Sequence, residues 1–256
     1  MSTSHGGQRF VISGGASGIG LAVARLALQR GARVGLLDRD ADALAAAARS
    51  LGDGDANNVI TLHCDVADAD AVNSAIADAA ERLGGIDALV NSAGIDLLAP
   101  LEDMQDADWA RVLAVNLTGP MLLCRAALPH LRSAGGGTIV NVSSGAGLSP
   151  LPNRTAYCAA KAGVIMFGKA LAIEAAPDGI RVNAVCPGAI DTPLFRTSYE
   201  NAPDPAAALE AIRQRYALRR IAQPEEVAEA VLYLSSAASS YVTGTALAVD
   251  GGRTFH

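Results

Sequence analysis

The chain has 256 residues, half of them hydrophobic and only 18% charged, which excludes a disordered polymer and allows a substantial core. A net charge of −6 argues against a nucleic-acid or anionic-membrane surface. Four scattered cysteines (Cys64, Cys124, Cys158, Cys186) have no metal-type spacing, and the start of the chain has no apolar leader, so a reduced, cytoplasmic, metal-free protein without a membrane span is expected.

Short apolar runs alternate with helical patterns along the chain. Strands are predicted at RFVIS (9–13), RVGLLD (33–38), NVITLHC (58–64), IDALVNSAG (86–94), GTIVNVSS (137–144), IRVNAVCPG (180–188) and ALAVDGG (246–252). Between them, six segments have helical spacing or composition, among them one long helix over about 106–132 and an alanine-rich one over 156–176. Near-continuous apolar strands that alternate with helices predict an α/β fold. The expected form is a single doubly wound Rossmann-type domain over 1–256, with a seven-stranded, mainly parallel sheet and helices on both faces. The proline-bearing stretch at about 189–223 follows a strand's carboxyl end and is expected to form a substrate lid.

The turn SGGASGIG lies between the first strand and the first helix. Its glycines (Gly14, Gly18, Gly20), with Ser17 and Ile19 between them, allow a tight turn and let backbone N–H groups approach a pyrophosphate. The second strand ends at Asp38, where a carboxylate can accept hydrogen bonds from ribose hydroxyls and repel a 2′-phosphate; Arg39 beside it could hold that phosphate.

Tyr157 and Lys161 are four residues apart and share a face of the alanine-rich helix. A free phenol loses its proton near pH ~10, and lowering that by about 3 units needs roughly 4 kcal/mol. One ammonium at ~4 Å with an effective dielectric of ~20 supplies about that, and a cofactor's positive nicotinamide ring can add to it, so the pair beside an oxidised nicotinamide is a sufficient general base for an alcohol proton.

The spacing G-x-x-x-G-x-G with Y-x-x-x-K resembles the short-chain dehydrogenase/reductase family over residues 9–252, with Ser13 where threonine is usual. The resemblance implies an NAD(P)-dependent oxidoreductase acting on CH–OH. It gives adenine contacts to Asp65 and Val66 of CDV, and a backbone role to Asn91, Ala93 and Gly94 of NSAG, where Ser92 departs from the usual asparagine. It places Pro187, Gly188, Ile190 and Thr192 of VCPGAIDT along the nicotinamide. Ser144 matches the serine that fixes the substrate oxygen, with Ser143 as the alternative, and Asn116 matches the asparagine of a proton relay through water to the lysine. Asp38, together with the absence of a basic residue at Ser17, favours NAD over NADP.

Arg154 lies three residues before Tyr157. Its surroundings resemble a subgroup acting on small hydroxy acids, such as 3-hydroxybutyrate, which implies that Arg154 and a lid arginine bind a substrate carboxylate. Arg215 is the better match there and Arg196 the other candidate; a solvent-exposed helix-start arginine is the plainer reading of Arg154. Asp96 adds negative charge nearby and could pair with Arg154 or hold a polyol hydroxyl. The expected partner is thus a small alcohol or ketone, and family members are usually homotetramers. The competing readings are an NADPH-dependent 3-oxoacyl or carbonyl reductase and a dinucleotide-binding protein without catalysis.

Overall fold

The computed structural model describes residues 5–52 and 58–255; the first four residues, on which the expectation of no apolar leader partly rests, lie outside them. Seven strands form one sheet: β1 (Arg9–Ser13), β2 (Arg33–Asp38), β3 (Val59–His63), β4 (Ala88–Asn91), β5 (Gly137–Val142), β6 (Ile180–Pro187) and β7 (Ala246–Val249). Their order is β3-β2-β1-β4-β5-β6-β7 and every pairing is parallel, so the sheet is wholly rather than mainly parallel. The central strands are buried almost end to end, which their continuous apolar sequences require.

Among the described residues, nine helices surround the sheet: α1 (Gly18–Gln29), α2 (Ala41–Ser50), α3 (Ala69–Leu83), α4 (Asp106–Leu113), α5 (Gly119–Ser133), α6 (Thr155–Ala175), α7 (Pro193–Arg196), α8 (Pro205–Arg213) and α9 (Pro224–Ser235). One core cluster joins α3, α5 and α6 to the sheet through residues such as Val72, Leu123 and Leu171. The other joins α1, α2 and α9 through Val23, Leu44 and Val231. Helices therefore cover both faces. The runs Asp106–Ser133 and Thr155–Asp178 are long and apolar enough to cross a membrane by length and composition, and about half of each is buried within this fold.

Two departures from the sequence reading shape the site. The strand expected over 86–94 pairs only at Ala88–Asn91, and the remainder leaves the sheet to line the cleft. The single helix expected over 106–132 is interrupted by a π-helical turn at Ala114–Thr118. Pro120 has no N–H to return to the Asn116 carbonyl four residues back, so the α-ladder lacks a rung at this point. The sheet reverses its winding between β1 and β4, and there the carboxyl ends of the strands open a crevice.

Candidate active site

The crevice has two connected parts. The first is a groove of about 220 Å³ lined by Gly14, Ser17, Gly18, Ile19, Asp38, Arg39, Asp65, Val66, Ala93 and Gly94, so most of the predicted cofactor residues lie together. Gly14 and Gly18 have φ of 65° and 52°, a left-handed conformation that favours glycine. A Cβ on Gly14 would stand 2.8 Å from the Ala93 backbone, and one on Gly18 would stand 3.2 Å from Thr192 Cγ2. No side chain caps the N-terminus of α1 behind this turn. A glycine cradle leading to an uncapped helix N-terminus fits an anionic diphosphate. At the far end, Asp38 accepts from Ala16 N at 3.3 Å and Asp40 N at 3.2 Å, so the carboxylate also braces the turn. Ser13 Oγ accepts from the N–H groups of Ser92 and Ala93, tying the turn after β4 to the end of β1.

Two predicted cofactor residues lie elsewhere. Gly20 is buried, and a Cβ there would strike the Gly14 carbonyl, so its role is to let α1 approach the turn. The Asn91 side chain is buried in the sheet, donating to Asn141 Oδ1 at 2.8 Å and Cys124 Sγ at 3.3 Å. The alternation of β4 turns this side chain into the core, which leaves only its backbone for the role expected from the NSAG pattern.

The second part is a cleft of about 420 Å³ that holds Ser144, Arg154, Tyr157, Lys161, Pro187, Gly188, Ile190 and Arg215 and shares Ile19, Gly94 and Thr192 with the groove. Thr192 Oγ1 accepts from Phe195 N at 3.2 Å and so caps α7. The two candidate serines have different surroundings. Ser143 is buried, and its hydroxyl donates to Lys161 O at 2.8 Å, which locks β5 to α6. Ser144 Oγ accepts from Ala146 N at 3.0 Å and faces the same cleft as Tyr157. Lys161 Nζ donates to Val142 O at 2.9 Å and lies 5.6 Å from the centre of the Tyr157 ring. Asn116 is fully buried in the π-turn; its side chain accepts from Ile95 N at 3.0 Å and donates to Ile95 O at 2.8 Å. A Cβ on Gly94 would lie 2.9 Å from Asn116 Oδ1 and 3.5 Å from Lys161 Nζ, so only a glycine lets these three meet.

Burial dominates the electrostatics of the protein's own groups. It pushes the Tyr157 phenol up to about 12, with the Ser144 hydroxyl and Arg154 pulling down and Asp96 pushing further up. Burial pushes Lys161 down to about 8, against the opposing field of Asp96. Lys161 Nζ spends one N–H on the Val142 carbonyl and keeps two for the cleft. The protein's own groups hold Tyr157 as the phenol.

Around the chemical centre, Arg154 Nε donates to Asp96 Oδ2 at 2.7 Å. Arg215 is exposed and lines the cleft from just beyond α8. Arg196 instead pairs with Asp191 at 2.9 Å and does not line the cleft. The 189–223 segment supplies α7 and α8, and with them Leu194, Phe195, Ala208 and Ile212 as apolar wall. The sequence reading missed Tyr216, which is buried in the same wall against Gly188, and Arg253, whose Nη2 grips the carbonyls of Ser149 at 3.0 Å and Pro150 at 2.9 Å. No local pattern marks either residue; each acts across the chain.

Residues 14–254 match the family model described as enoyl-(acyl carrier protein) reductase. The chain is 44% identical over 247 residues to cis-4-hydroxycyclohexanecarboxylate dehydrogenase of Sinomonas cyclohexanicum, covering 95% of each chain. The chain belongs to the short-chain dehydrogenase/reductase family. Among solved members, levodione reductase superposes with a TM-score of 0.94 at 33% identity, covering 97% of this chain and 98% of that one. A 3-ketoacyl-(acyl-carrier-protein) reductase of Brucella melitensis, solved with NADH, superposes with a TM-score of 0.89 at 33% identity, covering 98% of this chain and all of that one. The short-chain dehydrogenase/reductases bind NAD(P), and the glycine cradle, the helix terminus and the strand-end aspartate fit such a dinucleotide.

Proposed function

We propose that this protein interconverts a secondary alcohol and its ketone by hydride transfer, using NAD(H) in preference to NADP(H). The observation that carries the reading is the gathering of Ser144, Tyr157 and the buried Lys161 in one cleft continuous with the dinucleotide groove. When bound, the nicotinamide supplies or accepts the hydride, and its oxidised form adds positive charge beside the phenol. Tyr157 Oη gives its proton to the ketone oxygen in reduction and takes it from the alcohol in oxidation. Ser144 Oγ holds that same oxygen, and Lys161 Nζ, fixed by Val142 O, orients the ribose and supports the phenolate. Asn116 carries the proton relay through its backbone, at a carbonyl that Pro120 cannot engage.

The relatives' names and the apolar wall of Leu98, Leu151, Phe195 and Ile212 together support a small cyclic alcohol or hydroxy acid as substrate. Since Asp96 already holds Arg154, Arg215 is the cation better placed to meet a substrate carboxylate. Asp38 at the adenosine end supports NAD; Arg39 in the same groove supports the second reading, an NADPH-dependent 3-oxoacyl or carbonyl reductase. The α6 face bearing Met166 and Ile173, which are 65% and 79% exposed, is proposed to pack on a second copy within a homotetramer, and light scattering reads that assembly.

The test is NADH formation in a screen of 4-hydroxycyclohexanecarboxylates, short hydroxy acids, tetritols and cyclic alcohols, with NAD and NADP compared on the best substrate. A higher kcat/KM with NAD is expected. A preference for NADP would favour the second reading, and no turnover with any substrate in either direction would sink both.

A further inference from the structure

Arg154 and Asp96 reach the same cleft wall from separate parts of the chain. Arg154 is the residue before α6, and Asp96 stands on the segment that leaves the sheet after β4. Each oxygen of Asp96 accepts one bond at short range: Oδ2 takes Arg154 Nε at 2.7 Å and Oδ1 takes Leu97 N at 2.9 Å. Their side chains are only 13% and 16% exposed, so bulk water and salt screen the pair weakly. The terminal nitrogens of Arg154 have no protein partner among the described residues, and the residue lines the cleft.

An arginine with an open fork is by itself a site for carboxylate. Here the fork already has a carboxylate against its inner edge. A substrate anion at the terminal nitrogens would gain the guanidinium's attraction and meet Asp96's repulsion a few ångströms further on, and in a weakly screened wall the two nearly cancel. A hydroxyl or carbonyl oxygen gains the N–H donors without that opposition, and a hydroxyl can also donate to a remaining lone pair of Asp96.

We infer that Asp96 is a specificity-determining residue of the cleft: it neutralises Arg154, so that this wall receives a neutral hydroxyl- or carbonyl-bearing part of the substrate and turns away an anion. The inference rests on this cleft being the substrate site. Lys161 also contributes positive charge to the cleft, but it is the same in every variant below and cancels from their comparison.

The test is a ligand-observed NMR titration of two probes with the same ring, cyclohexanecarboxylate and cyclohexanol. The proteins are the wild type, Asp96→Asn, Arg154→Gln and the double variant, each shown to be folded by circular dichroism. The quantity read is the Kd of the carboxylate divided by the Kd of the alcohol. Asp96→Asn should lower this ratio about tenfold, Arg154→Gln should raise it about tenfold, and the double variant should return to within about threefold of wild type. An unchanged ratio in Asp96→Asn, a double variant equal to Arg154→Gln, or no binding of either probe to any variant would overturn the inference. Should Asp96→Asn fail to fold, Arg154→Gln against the double variant still decides. These titrations need no turnover, so an inactive wild type in the substrate screen would sink the proposed reaction while leaving the ratio readable.

Discussion

Lys161 carries a measurable conflict between folding and chemistry. It is 5% exposed, and burial brings it from 10.5 to about 8. A depression of that size corresponds to about 3 kcal/mol by which the fold disfavours the ammonium relative to the neutral amine. Below pH 8 the group is charged in both folded and unfolded chains, so the whole penalty is present. As pH rises from 8 to 10.5 the folded protein loses the proton first, the unfolded chain binds more protons, and the penalty disappears. Lys161→Met removes the charge but also the hydrogen bond to Val142 O, a loss of about 1 kcal/mol. The variant should therefore be about 2 kcal/mol more stable than wild type at pH 7, raising Tm by roughly 4–8 °C for a chain of this size. Near pH 10 the advantage should be mostly gone, while turnover is reduced by about 100-fold or more at both pH values. Thermal melts by circular dichroism at the two pH values, with NADH-linked rates, read all three quantities. A variant less stable than wild type at pH 7, or a gap that does not move with pH, would show that Lys161 is not held charged against its burial.

Three further outcomes are expected. Tyr157→Phe should cut kcat by about 100-fold or more through loss of the transferable proton, while fluorescence titration shows NADH affinity within about threefold of wild type; retained turnover removes Tyr157 from proton transfer. Gly94→Ala should lower both Tm and kcat, because its Cβ would meet Asn116 Oδ1 at 2.9 Å and crowd Lys161 Nζ, and a variant with wild-type melting and rate would contradict that packing. Arg253→Ala releases the Ser149 and Pro150 carbonyls and loosens the wall that carries Leu151 and Arg154; KM for substrate should rise about fivefold or more with kcat nearly unchanged, and Arg253→Lys should recover part of the loss.

The features legible in the sequence are those written locally. RFVIS followed by SGGASGIG places a buried strand, a glycine turn and a helix start within 12 residues, and the structure bears out each of those three elements. The strand and helix alternation likewise fixes a parallel sheet, since each strand must be reached by a crossover. The features that were not legible depend on what surrounds a residue. Asn91 belongs to a motif at the turn, but the period-two alternation of β4 buries its side chain against Asn141. The direction of the Tyr157 shift could not be had from a four-residue spacing, because the burial that dominates it and the Val142 carbonyl that engages Lys161 come from other elements. Arg154 and Asp96 are 58 positions apart; the sequence offered their pairing as one of two roles for Asp96, and what decides for it is how the end of β4 faces the start of α6. Ser143 and Ser144 are adjacent and chemically identical, and only their partners distinguish them.

The π-turn at Ala114–Thr118 makes the chain unusually sensitive to length at one place. Such a turn is an α-helix with one residue too many, held open here by Pro120 and by Asn116's double grip on Ile95. Deleting any one of those five residues would let the helix close up. The turns on either side would keep their phase, so Leu122, Leu123, Ala127 and Leu131 would stay in the core while the bulge that holds Asn116 against Ile95 is lost. A single-codon deletion here should therefore lower turnover far more than stability, and the residue count between Asp106 and Ser133 becomes as much a part of the site as the asparagine it presents.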